Sequence, residues 1–256
     1  MHPDLTPGID VALLVFWAFV LFFVGLVFYL RREDRREGYP LEEEISGRIR
    51  RPGGVLSTAS PKSFLLPFGH GTVTAPPGGG RDPFAIAARL TDRFAGAPYA
   101  PTGDPLVDGI GPAAWANRAK HPDLDMEGHP RIVPLSAAAE YTIAAPDPGL
   151  TGWPVIGADG LVAGTVAELW IDKADRLVRY MQLAGEGGPA LVPIMMAKVD
   201  RRRRRVVVDA LNAARFAGVP RLESASQITL YEEERVQAYF GGGYLYANES
   251  RQEPFL

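Results

Sequence analysis

The residue pattern predicts one membrane-crossing helix, then a mainly-β domain, then a single C-terminal helix. Three features carry this expectation. The first is VALLVFWAFVLFFVGLVFYL, residues 11–30, which contains no charge and no proline. The second is a series of short β-prone runs between 161 and 211, each ended by a turn signal. The third is TLYEEERVQAYF, 229–240, which opens like a capped helix.

Twenty residues at the helical rise span about 30 Å, the thickness of a bilayer's hydrocarbon core. Arg31, Arg32, Arg35 and Arg36 follow the run at once, and no Lys or Arg precedes it. That bias keeps the downstream chain cytoplasmic and leaves the short N-terminus outside. A cleaved signal would need a basic start, a core of roughly 7–15 residues and a small-residue cleavage site. Here Asp4 and Asp10 precede the core, and arginines stand where cleavage would fall. Pro40 makes Tyr39 extended, so the helix is expected to end near residues 36–38. Tyr29 and Trp17 suit the membrane interfaces, and the mid-span phenylalanines suit lipid or neighbouring helices. One helix cannot enclose a pore, so any cofactor chemistry in the membrane must come from partners.

Composition narrows the rest. The 256 residues are 46% apolar and 22% charged, enough for the anchor plus one or two folded domains. A net charge of −3 gives no global field for nucleic acid. With no cysteine, disulfides, thiolate catalysis, iron–sulfur clusters and Cys-based zinc sites are excluded. Any metal site must use carboxylates and the 4 histidines. The 23 prolines and 28 glycines argue against a helical bundle and for short strands joined by turns.

After the anchor, REGYPLEEE at 36–44 forms an acidic exit from the membrane. Residues 45–80 hold 13 Gly or Pro in 36 positions, including PGG at 52–54 and PPGGG at 76–80. Within them, SFLLPF (63–68) and GTVTA (71–75) are read as a small strand pair. Residues 81–135 continue in this style, but Phe84, Phe94, Tyr99, Leu106, Ile110 and Trp115 are too apolar for solvated disorder. The segment 38–135 is therefore an irregular, ordered arm that docks on another surface.

From about 136 the pattern changes. AEYTIAA (139–145), LVAGTVAELWID (161–172), RLVRYMQLA (176–184), ALVPIMMAKV (190–199) and RVVVDAL (205–211) read as strands. Turn signals at 159–160, 172–175, 185–189 and 200–203 separate them. Spacing this close leaves no room for crossover helices, so an antiparallel meander is expected, either a small barrel or a compact sandwich. Thr229 and Glu232 fit a capping box, and Gly241, Gly242 and Gly243 signal a stop. Leu230, Val236 and Phe240 share a face with Glu232, Glu233 and Glu234 mostly outward, and the tail 248–256 is polar.

Three groups could carry chemistry. RRRRR at 201–205 occupies a turn and a strand start, which favours a solvated hairpin near an anionic membrane or acidic partner over a nucleic-acid site. Asp125, Glu127 and His129 alternate within DLDMEGHP, 123–130, and alternate positions of an extended chain point the same way. Such a set suits proton pickup or weak divalent-metal capture as well as a plain solvated loop. Asp172 and Asp175 bracket a turn, and Arg179 could fold back onto either as an ordinary salt bridge or as part of a proton relay. No GxSxG, HExxH, P-loop or GxGxxG motif is present, so an enzyme with its own active site is not supported.

RREDRREGYPLE (31–42), PKSFLLPFGHGTVTAP (61–76), APTGDPLVDGIGPAAW (100–115), RIVPL (131–135) and ITLYEEERVQAYFGGGYLYA (228–247) occur in fixed order. Together they make the chain resemble the H subunit of the photosynthetic reaction centre of purple-type bacteria. The resemblance implies a membrane helix beside two cofactor-bearing subunits and a small antiparallel PRC-type barrel capping them at the cytoplasmic face of the photosynthetic inner membrane. It divides the chain into an external terminus (1–10), the helix and its basic flank (11–37), an arm on partner subunits (38–135), the β domain with its helix (136–247) and a tail (248–256).

The resemblance also implies a non-enzymatic subunit that assists proton uptake to the secondary quinone. Bacteriochlorophyll, bacteriopheophytin, quinone and non-haem iron would belong to the L- and M-type partners, with none bound by this chain alone. Further implied partners are membrane lipids, an antenna ring and a cytochrome subunit; nucleic acid is not among them. Asp125 and His129 match the family's surface proton-uptake and metal-sensitive site, where Glu127 replaces a His. Asp172 matches an acid nearer the quinone, Asp175 replaces a Glu, and Arg179 matches a basic residue that would hold these acids ionised. A membrane-anchored PRC-barrel adaptor for RNA or a ribosomal protein is the alternative reading, and a generic membrane scaffold a third.

Overall fold

Val11–Glu33 form one continuous helix, α1, for the reason the sequence suggests: an uninterrupted run of apolar helix formers opened by a cap. The Asp10 carboxylate accepts the N–H groups of Ala12 (2.9 Å) and Leu13 (3.1 Å). None of its residues is buried, and it is the one helix among the described residues long and apolar enough to cross a membrane. It ends at Glu33, slightly before the expected point, because the chain tightens. The N–H groups of Arg35 and Arg36 bond to the carbonyls of Arg32 and Glu33, at 3.2 and 3.0 Å.

The computed structural model describes residues 8, 10–38, 41–43, 45–46, 48–50, 59–76, 84–185 and 189–251. The expectations for most of the N-terminus, Tyr39–Pro40 and Glu44, the PGG and most of the PPGGG stretches, the centre of the 185–189 turn and residues 252–256 lie outside these residues.

The chain divides into two compact units. The first runs to Phe84 and includes Asp92–Ala97. Besides α1 it holds the short pair β1 (Leu41–Glu42) and β2 (Ile49–Arg50), and the hairpin β3 (Lys62–Leu65) and β4 (Thr72–Ala75). That hairpin is the strand pair expected at 63–75. Arg36 ties it to the end of α1, donating to both Glu33 carboxylate oxygens (2.9 Å each) and to the carbonyls of Ser60 (2.7 Å) and Ala75 (2.6 Å).

The second unit comprises Ala85–Thr91 and the chain from Pro98 onward. It begins with the hairpin β5 (Ala88–Leu90) and β6 (Tyr99–Pro101) and the single-turn helix α2 (Pro105–Asp108). Seven strands then make the main sheet: β7 (Ile132–Pro134), β8 (Pro154–Ile156), β9 (Val162–Asp172), β10 (Leu177–Leu183), β11 (Ala190–Pro193), β12 (Lys198–Asp200) and β13 (Arg205–Val207). Their order is β11-β10-β9-β8-β13-β12, with β7 also on β9. The helix α3 (Leu230–Tyr246) completes the unit. Trp170, Tyr180, Met181, Leu191, Leu211 and Phe240 form the heart of its core.

The mainly-β expectation holds, with instructive differences. The path of strands does not close, so the described residues form no closed barrel. One pair, β8 with β13, is parallel, which a strict meander does not provide. The run 190–199 is broken after Pro193 by a 3-10 turn at Ile194–Met196. Residues 139–145 form no strand and instead lie as a loop with Ile143 against the core. The three glycines do not stop α3, which continues to Tyr246. Glycine is needed there for space: a Cβ on Gly242 would sit 2.4 Å from the Cβ of Ala113, and one on Gly243 would sit 2.6 Å from the Ala210 carbonyl oxygen.

Candidate functional site: an arginine-bridged carboxylate cluster

The site grows from the turn between the two longest strands. β9 ends at Asp172, whose Oδ1 accepts the N–H groups of Ala174 (2.9 Å) and Asp175 (3.1 Å) and so shapes the turn into β10. The pairing of β7 with β9 sets Ile132 opposite Asp172, which delivers the preceding Arg131 to that carboxylate. Arg131 Nη2 donates to Asp172 Oδ2 at 2.9 Å and lies 3.4 Å from Asp175 Oδ2, while Nη1 donates to Asp123 Oδ2 at 2.9 Å. One guanidinium thus bridges three carboxylates. Burial works against its charge, and Asp172, Asp123 and Asp175 together outweigh that penalty.

The segment 123–130 is a turn rather than an extended strand, so its alternate residues do not share a face. The N–H of Asp125 bonds to the His129 carbonyl (2.8 Å), and Gly128 takes a positive φ of 85°. Asp125 turns inward, its Oδ1 accepting from the N–H groups of His129 (2.7 Å) and Glu127 (3.2 Å). Its Oδ2 accepts from Lys173 Nζ at 3.0 Å. The His129 N–H holds the Asp125 carboxyl below its ordinary value, with Lys173 adding to the effect against partial burial. The imidazole Nδ1 of His129 stands 3.8 Å from Asp125 Oδ1 and faces solvent. The Glu127 side chain is exposed, and among the described residues no three His, Asp or Glu side chains gather as a metal-holding group.

Asp125 and the Arg131 cluster are adjoining parts of one surface. Lys173, which binds Asp125, follows Asp172 directly, and its N–H bonds to the Arg131 carbonyl at 3.0 Å. Exposure falls across the group, from 71% for the His129 side chain and 53% for Asp175 to 3% for Asp172.

Arg179 does not make the contact the sequence suggests. It is the extra residue of a β-bulge between Val178 and Tyr180, which re-aims its side chain, and the cation on Asp172 and Asp175 is Arg131. The charge of Arg179 acts instead on Tyr180 and Glu233. Behind the cluster, the buried Tyr180 hydroxyl donates to Glu233 Oε1 at 2.7 Å and accepts from Gln237 Nε2 at 3.1 Å. Burial pushes Glu233 above the ordinary carboxyl range; Tyr180 and Arg179 oppose this, and Asp123 and Asp172 reinforce it. Burial, followed by the charge of Glu233, also raises Tyr180.

Sequence reasoning missed Arg131 and Glu233 as site residues. The mostly outward expectation for the three glutamates is corrected at Glu233, which points in to Tyr180; Glu232 caps α3 and Glu234 pairs at the surface with Arg118 at 2.8 Å. The available signal was a tyrosine in a buried strand, which needs a hydroxyl partner, opposite a Glu and Gln spaced i, i+4 on a helix.

The arrangement can take up a proton at exposed carboxylate or imidazole groups and present it to a buried carboxylate. A family model described as photosynthetic reaction centre, H-chain N-terminal region, matches residues 3–137. A second, the PRC-barrel domain, matches residues 148–215.

Proposed function

We propose that this chain, which belongs to the photosynthetic reaction centre H-chain family, caps the cytoplasmic face of the pigment-bearing subunits and passes protons toward their secondary quinone. Family membership makes it a structural subunit that associates with the other reaction-centre subunits, and its N-terminal helix fits a single-pass anchor. L- and M-type partners would hold the bacteriochlorophyll, bacteriopheophytin, quinone and non-haem iron, and this chain would act without catalysis of its own. An antenna ring and a cytochrome subunit are further proposed neighbours. Arg31 and Arg32 in the last turn of α1, followed by Arg35 and Arg36, favour a cytoplasmic second unit in this reading.

A quinone reduced by two electrons also takes up two protons. A buried site obtains them through a chain of titratable groups. The observation that carries the proposal is the gradient from exposed His129 and Asp175 to buried Asp172 around one arginine. In this reading His129, Glu127 and Asp125 collect protons, Asp175 and Asp172 pass them inward, and Arg131 holds the two inner carboxylates side by side. Arg179 acts by its charge on the neighbouring Glu233 and Tyr180.

Proton uptake after a second flash, measured in the assembled complex, tests the roles. The Asp172→Asn, Asp175→Asn double variant is expected to slow uptake by roughly 10²-fold, the scale on which positioned proton-transfer groups act. An unchanged rate would remove these residues from the path.

A further inference from the structure

The hairpin β3–β4 takes no part in the proton path. Phe64, Leu65, Phe68 and Val73 stand 45, 83, 51 and 50% exposed. From 59 to 76 there is no Asp or Glu, and Lys62 and His70 are the only ionisable side chains.

The hairpin's direction follows from its contacts with α1. At its base, Arg36 holds the carbonyls of Ser60 and Ala75. Two residues closer to the tip, Lys62 Nζ reaches back to Glu33 Oε2 at 3.1 Å and the Tyr29 hydroxyl at 3.4 Å. Going from base to tip therefore runs from Arg36, just past α1, to Glu33 and Tyr29 of the helix, back toward its apolar span. The tip lies about 10 Å beyond Lys62 at the rise of an extended chain.

Both faces of the hairpin carry apolar groups. Phe64 sits opposite Val73 on one face, and Leu65 opposite Thr72 points to the other. A protein surface would cover one face, whereas a lipid interface surrounds both. Lysine and tyrosine at the base, with apolar side chains beyond them, match the layering of a membrane boundary. We propose that the tip of this hairpin, residues 64–68, dips into the interfacial layer of the bilayer beside α1, with lipid as its partner. The proposal rests on α1 spanning the membrane.

Because the chain has no cysteine, single substitutions give unique spin-label sites. Labels at Leu65→Cys, Phe68→Cys, Thr74→Cys near the base and Phe22→Cys in mid-helix would be compared in the full chain. The host is nanodiscs of phosphatidylcholine and phosphatidylglycerol, with a repeat in the assembled complex. The expected result is an oxygen-to-nickel-chelate accessibility ratio that is highest at 22, intermediate at 65 and 68, and lowest at 74. Free access of the nickel chelate at both 65 and 68 overturns the proposal by placing the tip in water. Exclusion of both reagents there overturns it by placing the tip under protein. A water-accessible label at 22 overturns the membrane span itself, and the hairpin proposal with it.

Discussion

Apolar side chains meet opposite fates in the two units. In the first, Leu21, Phe22 and Leu65 are 72, 63 and 83% exposed, and among described apolar residues only Ala59 and Ala97 are buried. In the second, Trp170, Tyr180, Met181 and Phe240 are sealed from solvent within one continuous cluster. The second unit builds its own interior. The first leaves nearly all of its apolar side chains uncovered by its own chain. Equal changes in side-chain volume should therefore register in different measurements.

The largest expected effect is in the second core. Phe240→Ala removes a fully buried ring that meets Phe216 edge-on at 5.9 Å, at a cost of about 3–5 kcal/mol. Urea unfolding of the full chain in detergent, followed by tryptophan fluorescence, should show the midpoint fall. Leu21→Ala, at an exposed site of α1, should leave that midpoint in place. Equal shifts would mean that the two units unfold as one.

Two glycines sharpen the contrast. In α1, a Cβ at Gly25 would meet nothing of this chain within 4 Å, so in the isolated chain Gly25→Ala adds helix propensity without a clash. In α3, a Cβ at Gly243 would lie 2.5 Å from Leu211 Cδ2 and 2.6 Å from a backbone oxygen. The propensity gain there is about 1 kcal/mol, and the overpacking against backbone exceeds it. Gly243→Ala is expected to destabilise the second unit by a net of up to about 2 kcal/mol, read as a lower urea midpoint. A stabilised variant would show that the α3 contact yields easily.

Thr229→Ala should cost about 1 kcal/mol, since it removes the hydroxyl that accepts the Glu232 N–H at 3.2 Å. This cap was legible in the sequence, as were α1, the β3–β4 hairpin, β9 and β10. All are local signals: an apolar run, a four-residue motif, alternation ended by turn residues. The remainder depends on tertiary pairing. β7 and β8 are three residues long and include prolines, and β8 finds its parallel partner some fifty residues later in β13. Nothing near Gly242 announces that Ala113 will pack on it. The same limit governs the site: Asp125, Asp172 and Asp175 stand out as carboxylates in turns, but the β7–β9 register, not spacing, chooses Arg131 over Arg179 as the cation of Asp172 and Asp175.

The smallest contrast lies between two carboxyl groups of the second unit and turns on sign. Burial raises Glu233 in the folded state above its ordinary 4.5, so the folded protein binds that proton more tightly than the unfolded chain. Its contribution is fully present below 4.5 and is lost as pH rises through the higher folded value. Asp125 behaves oppositely, because the His129 N–H and Lys173 hold it below its ordinary 3.8. Its contribution is present above 3.8 and is lost as pH falls through the depressed value. Urea midpoints measured across the acid-to-neutral range should therefore separate the two. Glu233→Gln should flatten the decline on the upper side, and Asp125→Asn should lower the neutral plateau while removing part of the acid loss. A Glu233→Gln variant with the parent's full pH dependence would mean that water reaches this carboxyl despite the surrounding helix and sheet.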